Sequence, residues 1–191
     1  MDTNQKNVTD MLQTANARSK ATIASVINTV QTVRWKHVAF VIPVVPEPSH
    51  RPRLNKNRIY VPGAAKHQRY FDRVIRPTLN GLFISTPCKI STDIYIPTPK
   101  SFTFVQRVLA EMKILRPWVN CGDVDNFEKA LYDQIQPNEH RGHVGIMAND
   151  SLIIDADTHK YYSQTPRYEV KISYMGKMPP ELKKILRIRD F

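Results

Sequence analysis

Four carboxylates and one lysine lie within the twelve residues from Gly122 to Asp133. Asp123 and Asp125 occupy alternate positions, and in an extended backbone such side chains project from the same side, so the two can share one cation. After Asp125 the apolar residues recur at helical spacing, which predicts a strand-to-helix junction at this pair. Lys129 and Asp133 follow in four-residue steps along one helix edge. An ammonium is therefore expected one turn from the carboxylates, where a phosphate would rest.

A helix cap is the simpler interpretation of part of this segment. Asp125 is followed three residues later by Glu128, which resembles a capping box. Lys129 and Asp133 would then form an ordinary ion pair across one helical turn. Capping does not explain Asp123, so these residues alone leave both interpretations open.

A second acidic segment, Asn149-Asp150-Ser151, lies downstream. The apolar run Leu152–Ile154 is typical of a buried strand, and Asp150 stands at its entrance. Magnesium takes oxygen ligands and needs only a few carboxylates besides water and substrate phosphate, so Asp150 would complete a site with Asp123 and Asp125. The alternative for Asp150 is a turn residue whose side chain bonds the nearby backbone.

These segments, together with blocks upstream and downstream, resemble the RusA family of Holliday junction resolvases, which are metal-dependent endodeoxyribonucleases of bacteria and their phages. The resemblance runs in order from about Phe40 to Ile172. It rests on Ile42-Pro43, Pro46-Glu47-Pro48, Arg51-Pro52-Arg53, Tyr60-Val61-Pro62, Pro97-Thr98-Pro99-Lys100-Ser101, Asp123-Val124-Asp125-Asn126-Phe127-Glu128-Lys129 as the family's D-x-D-N-x-x-K, Asp133, Asp150, His159-Lys160-Tyr161 and Pro166-Arg167-Tyr168-Glu169-Val170.

The resemblance implies an α+β fold, with a mixed β-sheet and packed helices in one nuclease domain. It implies that Asp123, Asp125 and Asp150 bind the metal, with Lys129 as a catalytic residue that stabilises charge on the phosphate. The expected cofactor is Mg²⁺, with Mn²⁺ as a substitute, and the expected substrate is branched DNA, in particular four-way junctions. Because such a junction has near two-fold symmetry and needs two opposed cuts, a homodimer is expected.

Two features depart from the family pattern. Asn149 stands where the family often has a further aspartate. The segment from Gln136 to Val144 is longer than usual and includes His140 and His143, which we interpret as loop residues because no zinc-site spacing accompanies them. Two alternatives to a resolvase stay open: a junction-binding protein whose catalytic site has decayed, and a less selective flap or fork nuclease.

The charge of the chain agrees with a nucleic-acid partner. Lys and Arg number 28 against 17 Asp and Glu, which gives a net charge of +11. Ten of these cations and only two carboxylates lie between Arg34 and Arg76. Basic side chains that neutralise phosphates release counterions, which gives largely sequence-independent affinity. The expected DNA-binding residues are Arg51, Arg53, Lys56, Arg58, Lys100 and Lys160.

The pattern of apolar residues divides the chain into an N-terminal helical extension (1–34), the nuclease domain (35–176) and a basic C-terminal helix or tail (177–191). Residues from about Thr9 to Val33 are predicted to form one amphipathic helix, whose apolar stripe packs either on its own chain or on a second subunit. In the nuclease domain we predict strands at Val38–Pro43, Lys89–Ile96, Leu152–Lys160 and Tyr168–Tyr174, and helices at Ala64–Leu79, Thr103–Leu115 and Asn126–Gln136.

Cellular location is indicated only indirectly. No apolar run approaches the roughly 20 residues needed to span a bilayer, and residues 1 to 34 lack the apolar segment of a signal peptide. Cys88 and Cys121 are expected to be thiols. We therefore expect a cytoplasmic protein without membrane contact, in a bacterial cell or in the host if a phage encodes it.

Overall fold

A computed structural model of the chain describes residues 3–49, 53–55, 58–60, 64–118 and 121–186. The chain divides into two compact units, one formed by Lys36–Tyr174 and the other by Met1–Trp35 with Met175–Phe191. The α-helices are α1 (Thr3–Thr14), α2 (Ala17–Thr32), α3 (Ala64–Tyr70), α4 (Phe104–Glu111), α5 (Val124–Ile135) and α6 (Pro180–Leu186). The strands are β1 (Trp35–Ile42), β2 (Arg53–Asn55), β3 (Arg58–Tyr60), β4 (Cys88–Pro97), β5 (Ile153–Ser163) and β6 (Arg167–Met175).

A mixed four-stranded sheet in the order β1-β6-β4-β5 forms the centre of the larger unit. β4 pairs with β5 in parallel and with β6 antiparallel. The short strands β2 and β3 form a separate antiparallel pair. A mixed sheet with packed helices is the α+β class that the sequence predicted, and the fold class is confirmed.

The two faces of the sheet differ in burial, as side-chain alternation along β4 shows. Cys88, Ile90, Thr92, Ile94 and Ile96 alternate with more polar residues and are buried on what we call the core face. Lys89 and Asp93 point to the opposite, outer face. Because partners in a parallel register share a face, Asp155 beside Lys89 and His159 beside Asp93 lie on the outer face as well. Thr158 and Lys160 consequently point to the core face.

Helical segments cover the core face. α5 buries Phe127, Leu131 and Ile135 in the hydrophobic core. The predicted helix Ala64–Leu79 has the expected extent, but it changes type along its length: α3 continues as a π-helical turn (Phe71–Ile75) and a 3₁₀ turn (Arg76–Leu79). The Phe71 ring packs edge-on against that of Phe40 in β1, with 6.1 Å between centroids.

The N-terminal extension differs from its prediction. Instead of one helix from Thr9 to Val33, two helices form, and the break falls at Ala15 and Asn16. The Asn16 side chain accepts a 2.8 Å hydrogen bond from the Ser19 amide, which caps α2. The hydrophobic pattern did not reveal this break because capping is a property of single polar residues. In the same unit α6 packs against α2.

In the described ranges, no helix is long and apolar enough to cross a membrane. Cys88 is buried and Cys121 is half-buried, and the two form no disulfide. Burial raises the pKa of the Cys88 thiol to about 11.

Candidate active site

α5 begins directly after Asp123, which is its N-cap residue, and Asp125 lies in its first turn. The Asp123 side chain makes no capping hydrogen bond. Glu128 does not reach back to the helix start, because its carboxylate accepts a hydrogen bond from the Thr158 hydroxyl of β5. The capping-box interpretation is therefore wrong for this helix. Asp123 and Asp125 are both exposed at the start of α5, and neither has a capping role.

The turn before Asp123 is fixed from two sides. Gly122 has φ +81, and a Cβ at this position would lie 3.1 Å from the Phe127 ring and 3.2 Å from Pro48 Cγ. The Lys160 ammonium donates a 2.6 Å hydrogen bond to the Gly122 carbonyl. On the other side, the Ser49 amide donates a 2.8 Å hydrogen bond to the carbonyl of Asn126 in α5. Distant parts of the chain thus orient the start of α5.

The last turn of α5 is tied to the segment that leads to Asp150. The Ile135 carbonyl accepts hydrogen bonds from the amides of Ile146 (2.8 Å) and Met147 (3.0 Å). Gly145 makes this approach possible, because a Cβ there would lie 2.5 Å from the Ile135 carbonyl oxygen. The chain then enters a short 3₁₀ turn, Asp150–Leu152, immediately before β5.

Asn149 rather than Asp150 bonds the local backbone. The Asn149 side chain accepts a 2.8 Å hydrogen bond from the Ser151 amide and caps the 3₁₀ turn. The turn-residue role considered for Asp150 therefore belongs to its neighbour. Asp150 is exposed. An asparagine oxygen serves this cap as well as a carboxylate would, so the departure at Asn149 has a structural role.

Asp150 lies near the carboxyl-terminal half of α5, where it acts on Asp133. The pKa of the half-buried Asp133 is raised above its usual value of 3.8, first by burial and further by the negative charge of Asp150. Lys129 and Arg141 oppose this shift with their positive charges. The edge of α5 that bears Asp125, Lys129 and Asp133 thus ends beside Asp150.

The carboxylates are distributed along this edge rather than gathered at one point. With a rise of about 1.5 Å per residue, the Cα atoms of Asp125 and Asp133 are about 12 Å apart along the helix. Across the described residues, no group of three or more His, Cys, Asp or Glu is placed to hold a metal ion. The donor chemistry nevertheless fits a hard cation, since Asp123, Asp125, Asp133 and Asp150 all offer carboxylate oxygens. The negative charges of Asp133 and Asp150 repel each other, and a bound cation would offset this repulsion.

The long segment after α5 is docked onto the larger unit through His143. Its Nδ1 lies 2.7 Å from Asp72 Oδ2, and its Nε2 lies 2.7 Å from the Gln134 carbonyl oxygen. The ring thus bridges the Asp72 carboxylate and the backbone of α5. Arg141 in the same segment donates to the Gln68 side chain, which donates in turn to the Asp133 carbonyl. His140 is exposed.

The predicted DNA-binding residues differ in exposure and in how much of each residue the structure describes. Lys100 is exposed in the turn after β4, and its carbonyl accepts a hydrogen bond from Arg107. Lys160 is half-buried on the core face. Arg53 and Arg58 are described only as backbone in β2 and β3, and Arg51 and Lys56 lie outside the described residues.

Sequence reasoning did not find Arg141 or the contact between the half-buried Asp72 and the buried His143. No local signal marks them, because their partners lie far away along the chain. Asp133 was noted only as part of a motif. Its proximity to Asp150 depends on how the segment after α5 returns to β5.

The comparisons with known proteins give the class of protein to which this mixed sheet and its covering helix belong. The family model described as "Endodeoxyribonuclease RusA" matches residues 43–173. The chain belongs to the RusA family, whose members are endodeoxyribonucleases that resolve Holliday junctions. It is also 29% identical, over 146 residues, to a protein of Bacillus subtilis (strain 168) described as "Uncharacterized protein YqaN". That alignment covers 71% of this chain and 94% of the relative.

Proposed function

We propose that this endonuclease resolves four-way DNA junctions by magnesium-dependent hydrolysis, with paired nicks made by a homodimer. The proximity of Asp150 to the α5 edge that bears Asp125, Lys129 and Asp133 carries this proposal. It brings the second acidic segment of the sequence beside the helix that begins at the first.

In this proposal Asp123, Asp125 and Asp150 would hold the ion, which would offset phosphate charge and lower the pKa of a coordinated water. Lys129 lies one turn from Asp125 and is exposed, so its ammonium can stabilise negative charge that develops on the phosphate or the leaving oxygen. Lys160 and Ser49 contribute indirectly, because their hydrogen bonds orient the start of α5.

A homodimer supports paired nicks because its two identical sites match the near two-fold symmetry of a junction. Light scattering on purified protein measures its mass in solution. A junction extruded as a cruciform in a plasmid then distinguishes the cutting modes: paired cuts within one binding event give linear DNA, whereas independent cuts give nicked circles first.

Cleavage of a labelled immobile four-way junction tests the chemistry. We expect wild-type protein to cut in Mg²⁺ or Mn²⁺, and Asp123→Asn and Asp150→Asn each to lose activity by at least about 100-fold, since even indirect partners of metal ligands cost 10- to 100-fold. Asp157→Asn is the matched control, because this exposed carboxylate lies on the outer face of β5.

Junction binding is measured in parallel by gel shift in Ca²⁺ or EDTA. The variants should still bind, since they retain the basic surface. Wild-type protein that binds tightly but cuts with no divalent metal would point to the decayed, junction-binding alternative. Equal cutting of junctions, flaps and forks would favour the less selective nuclease.

A further inference from the structure

A groove of about 540 Å³ lies between the helical segment 64–75 and the chain that follows β1. Lys66, Arg69 and Arg73 line it from the helical side, and all three are exposed. Gln68 and Phe71, which alternate with them in sequence, are buried. This segment therefore packs one face into the unit and presents a row of cations to the groove.

The groove is positively charged overall. Among the residues that the structure describes, its opposite wall contains Val44, Val45 and a single carboxylate, Glu47. His67 also lines the groove, and burial lowers the pKa of its ring, so it is neutral at pH 7. Three cations thus face one carboxylate. Among the described residues, no ion pair involves Lys66 or Arg73.

Both walls of the groove contact the carboxylate-bearing helix α5. On the helical side, the Gln68 side chain donates a 2.7 Å hydrogen bond to the Asp133 carbonyl. On the other side, the chain after Glu47 reaches the Ser49 amide, which donates to the Asn126 carbonyl. Gln68 belongs to the buried face of the segment, so the segment stands between α5 and the groove, while the chain after Glu47 links the opposite wall to the start of α5.

We propose that this groove binds the sugar–phosphate backbone of one DNA strand of the bound junction; this inference rests on the proposed function. From Lys66 to Arg73 the helical segment advances about 10 Å, at about 1.5 Å per residue. Phosphates of one strand rise about 3.4 Å along the DNA axis and lie farther apart along the strand itself, so the row is long enough for at least two of them. The apolar side chains of Val44 and Val45 can pack against deoxyribose. Contacts to sugar and phosphate do not depend on the base sequence of the DNA.

The salt dependence of junction binding tests the site. The double variant Lys66→Gln/Arg73→Gln is compared with Lys89→Gln/Lys171→Gln, which removes the same two charges from the outer face of the sheet. Binding is measured in Ca²⁺ over a range of salt concentrations. We expect the groove variant to reduce the slope of log affinity against log salt by about 1.8, at about 0.9 for each phosphate contact, and the control to reduce it by much less.

Val45→Glu is an independent variant on the opposite wall, where the native side chain is 50% exposed. It leaves every cation in place but adds a carboxylate to the groove, so we expect weaker junction binding. Circular dichroism and thermal unfolding check that each variant folds.

The outcomes separate this inference from the proposed function. If wild type binds the junction and both groove variants bind with its affinity and slope, the inference alone is overturned, and the groove serves another ligand such as an acidic peptide. If the groove double variant and the control double variant lose the same junction affinity and salt slope, the inference is overturned too, because the change in net charge would explain the effect. Wild type that binds no junction overturns both the proposed function and this inference.

Discussion

The Lys160 ammonium donates a 2.6 Å hydrogen bond to the carbonyl oxygen of Gly122, directly before Asp123. The contact joins the core face of β5 to the turn where α5 begins. A lysine in a basic nuclease is easily assigned to DNA, but this one is half-buried and bonded within the protein. Its geometry favours a positioning role.

Lys160→Met should therefore reduce cleavage more than binding. Without the hydrogen bond to Gly122 the first turn of α5 shifts, and a small displacement of reacting groups can reduce the rate by about 100-fold. The salt slope of junction binding should stay unchanged. A slope reduced by about 0.9 would instead assign Lys160 to a phosphate contact. Lys171→Met, at an exposed position of β6, is the control.

Gly145→Ala should destabilise the larger unit far more than Gly142→Ala. Both glycines have nearly the same positive φ, +63 and +62, so the backbone strain of about 1–2 kcal/mol is common to the pair. A Cβ at position 142 meets nothing within 4 Å, whereas at 145 it would lie 2.5 Å from the Ile135 carbonyl oxygen.

Urea unfolding of the two glycine variants measures this difference. We expect Gly145→Ala to cost at least about 2 kcal/mol more, which is typical of steric overlap in a packed region. Equal costs would mean that the segment after α5 is not packed against the helix end.

Asp133→Asn should stabilise the fold at neutral pH. Burial and the charge of Asp150 raise the pKa of Asp133 in the folded state, so the folded protein binds this proton more tightly than the unfolded chain. The ionised form therefore lowers stability once the pH exceeds the ordinary value of 3.8, and this cost is absent below it.

Chemical unfolding over a range of pH values checks the sign of this effect. The stability advantage of Asp133→Asn over wild type should be present at pH 7 and should shrink toward zero as the pH falls below 3.8. Asp157→Asn is the exposed control. A variant less stable than wild type at pH 7 would contradict the burial of an unfavourable charge at position 133.

Asp72 and His143 should be coupled energetically. His143→Leu leaves the Asp72 carboxylate and the Gln134 carbonyl without a donor, at a cost of about 2–3 kcal/mol. Asp72→Asn should cost less, because an amide oxygen still accepts from Nδ1. A double-mutant cycle measured by urea unfolding should give a coupling of about 1–3 kcal/mol. His140→Leu, at an exposed position, should change stability by less than about 0.5 kcal/mol.

Local pattern in the sequence determined much of this fold. Alternating residues in β4 predicted one buried face, and the 3.6-residue spacing after Asp125 predicted α5 to within two residues at its start and one at its end. These signals are strong because each element buries one face whatever its partner is. Asn16 shows the limit, since a single polar cap interrupts a continuous apolar stripe and divides one predicted helix into two.

The sequence by itself also determined the residue types of the site: carboxylates at 123, 125 and 150, and a lysine one turn away. Only the tertiary structure decided their arrangement. It placed Asp150 beside Asp133 rather than in a preformed cluster, and it buried His143 against Asp72. It also formed the hydrogen bonds from Thr158 to Glu128 and from Lys160 to the Gly122 carbonyl. Each of these contacts joins residues far apart in the chain. Their geometry follows from sheet order and from the path of the segment after α5, neither of which a local pattern encodes.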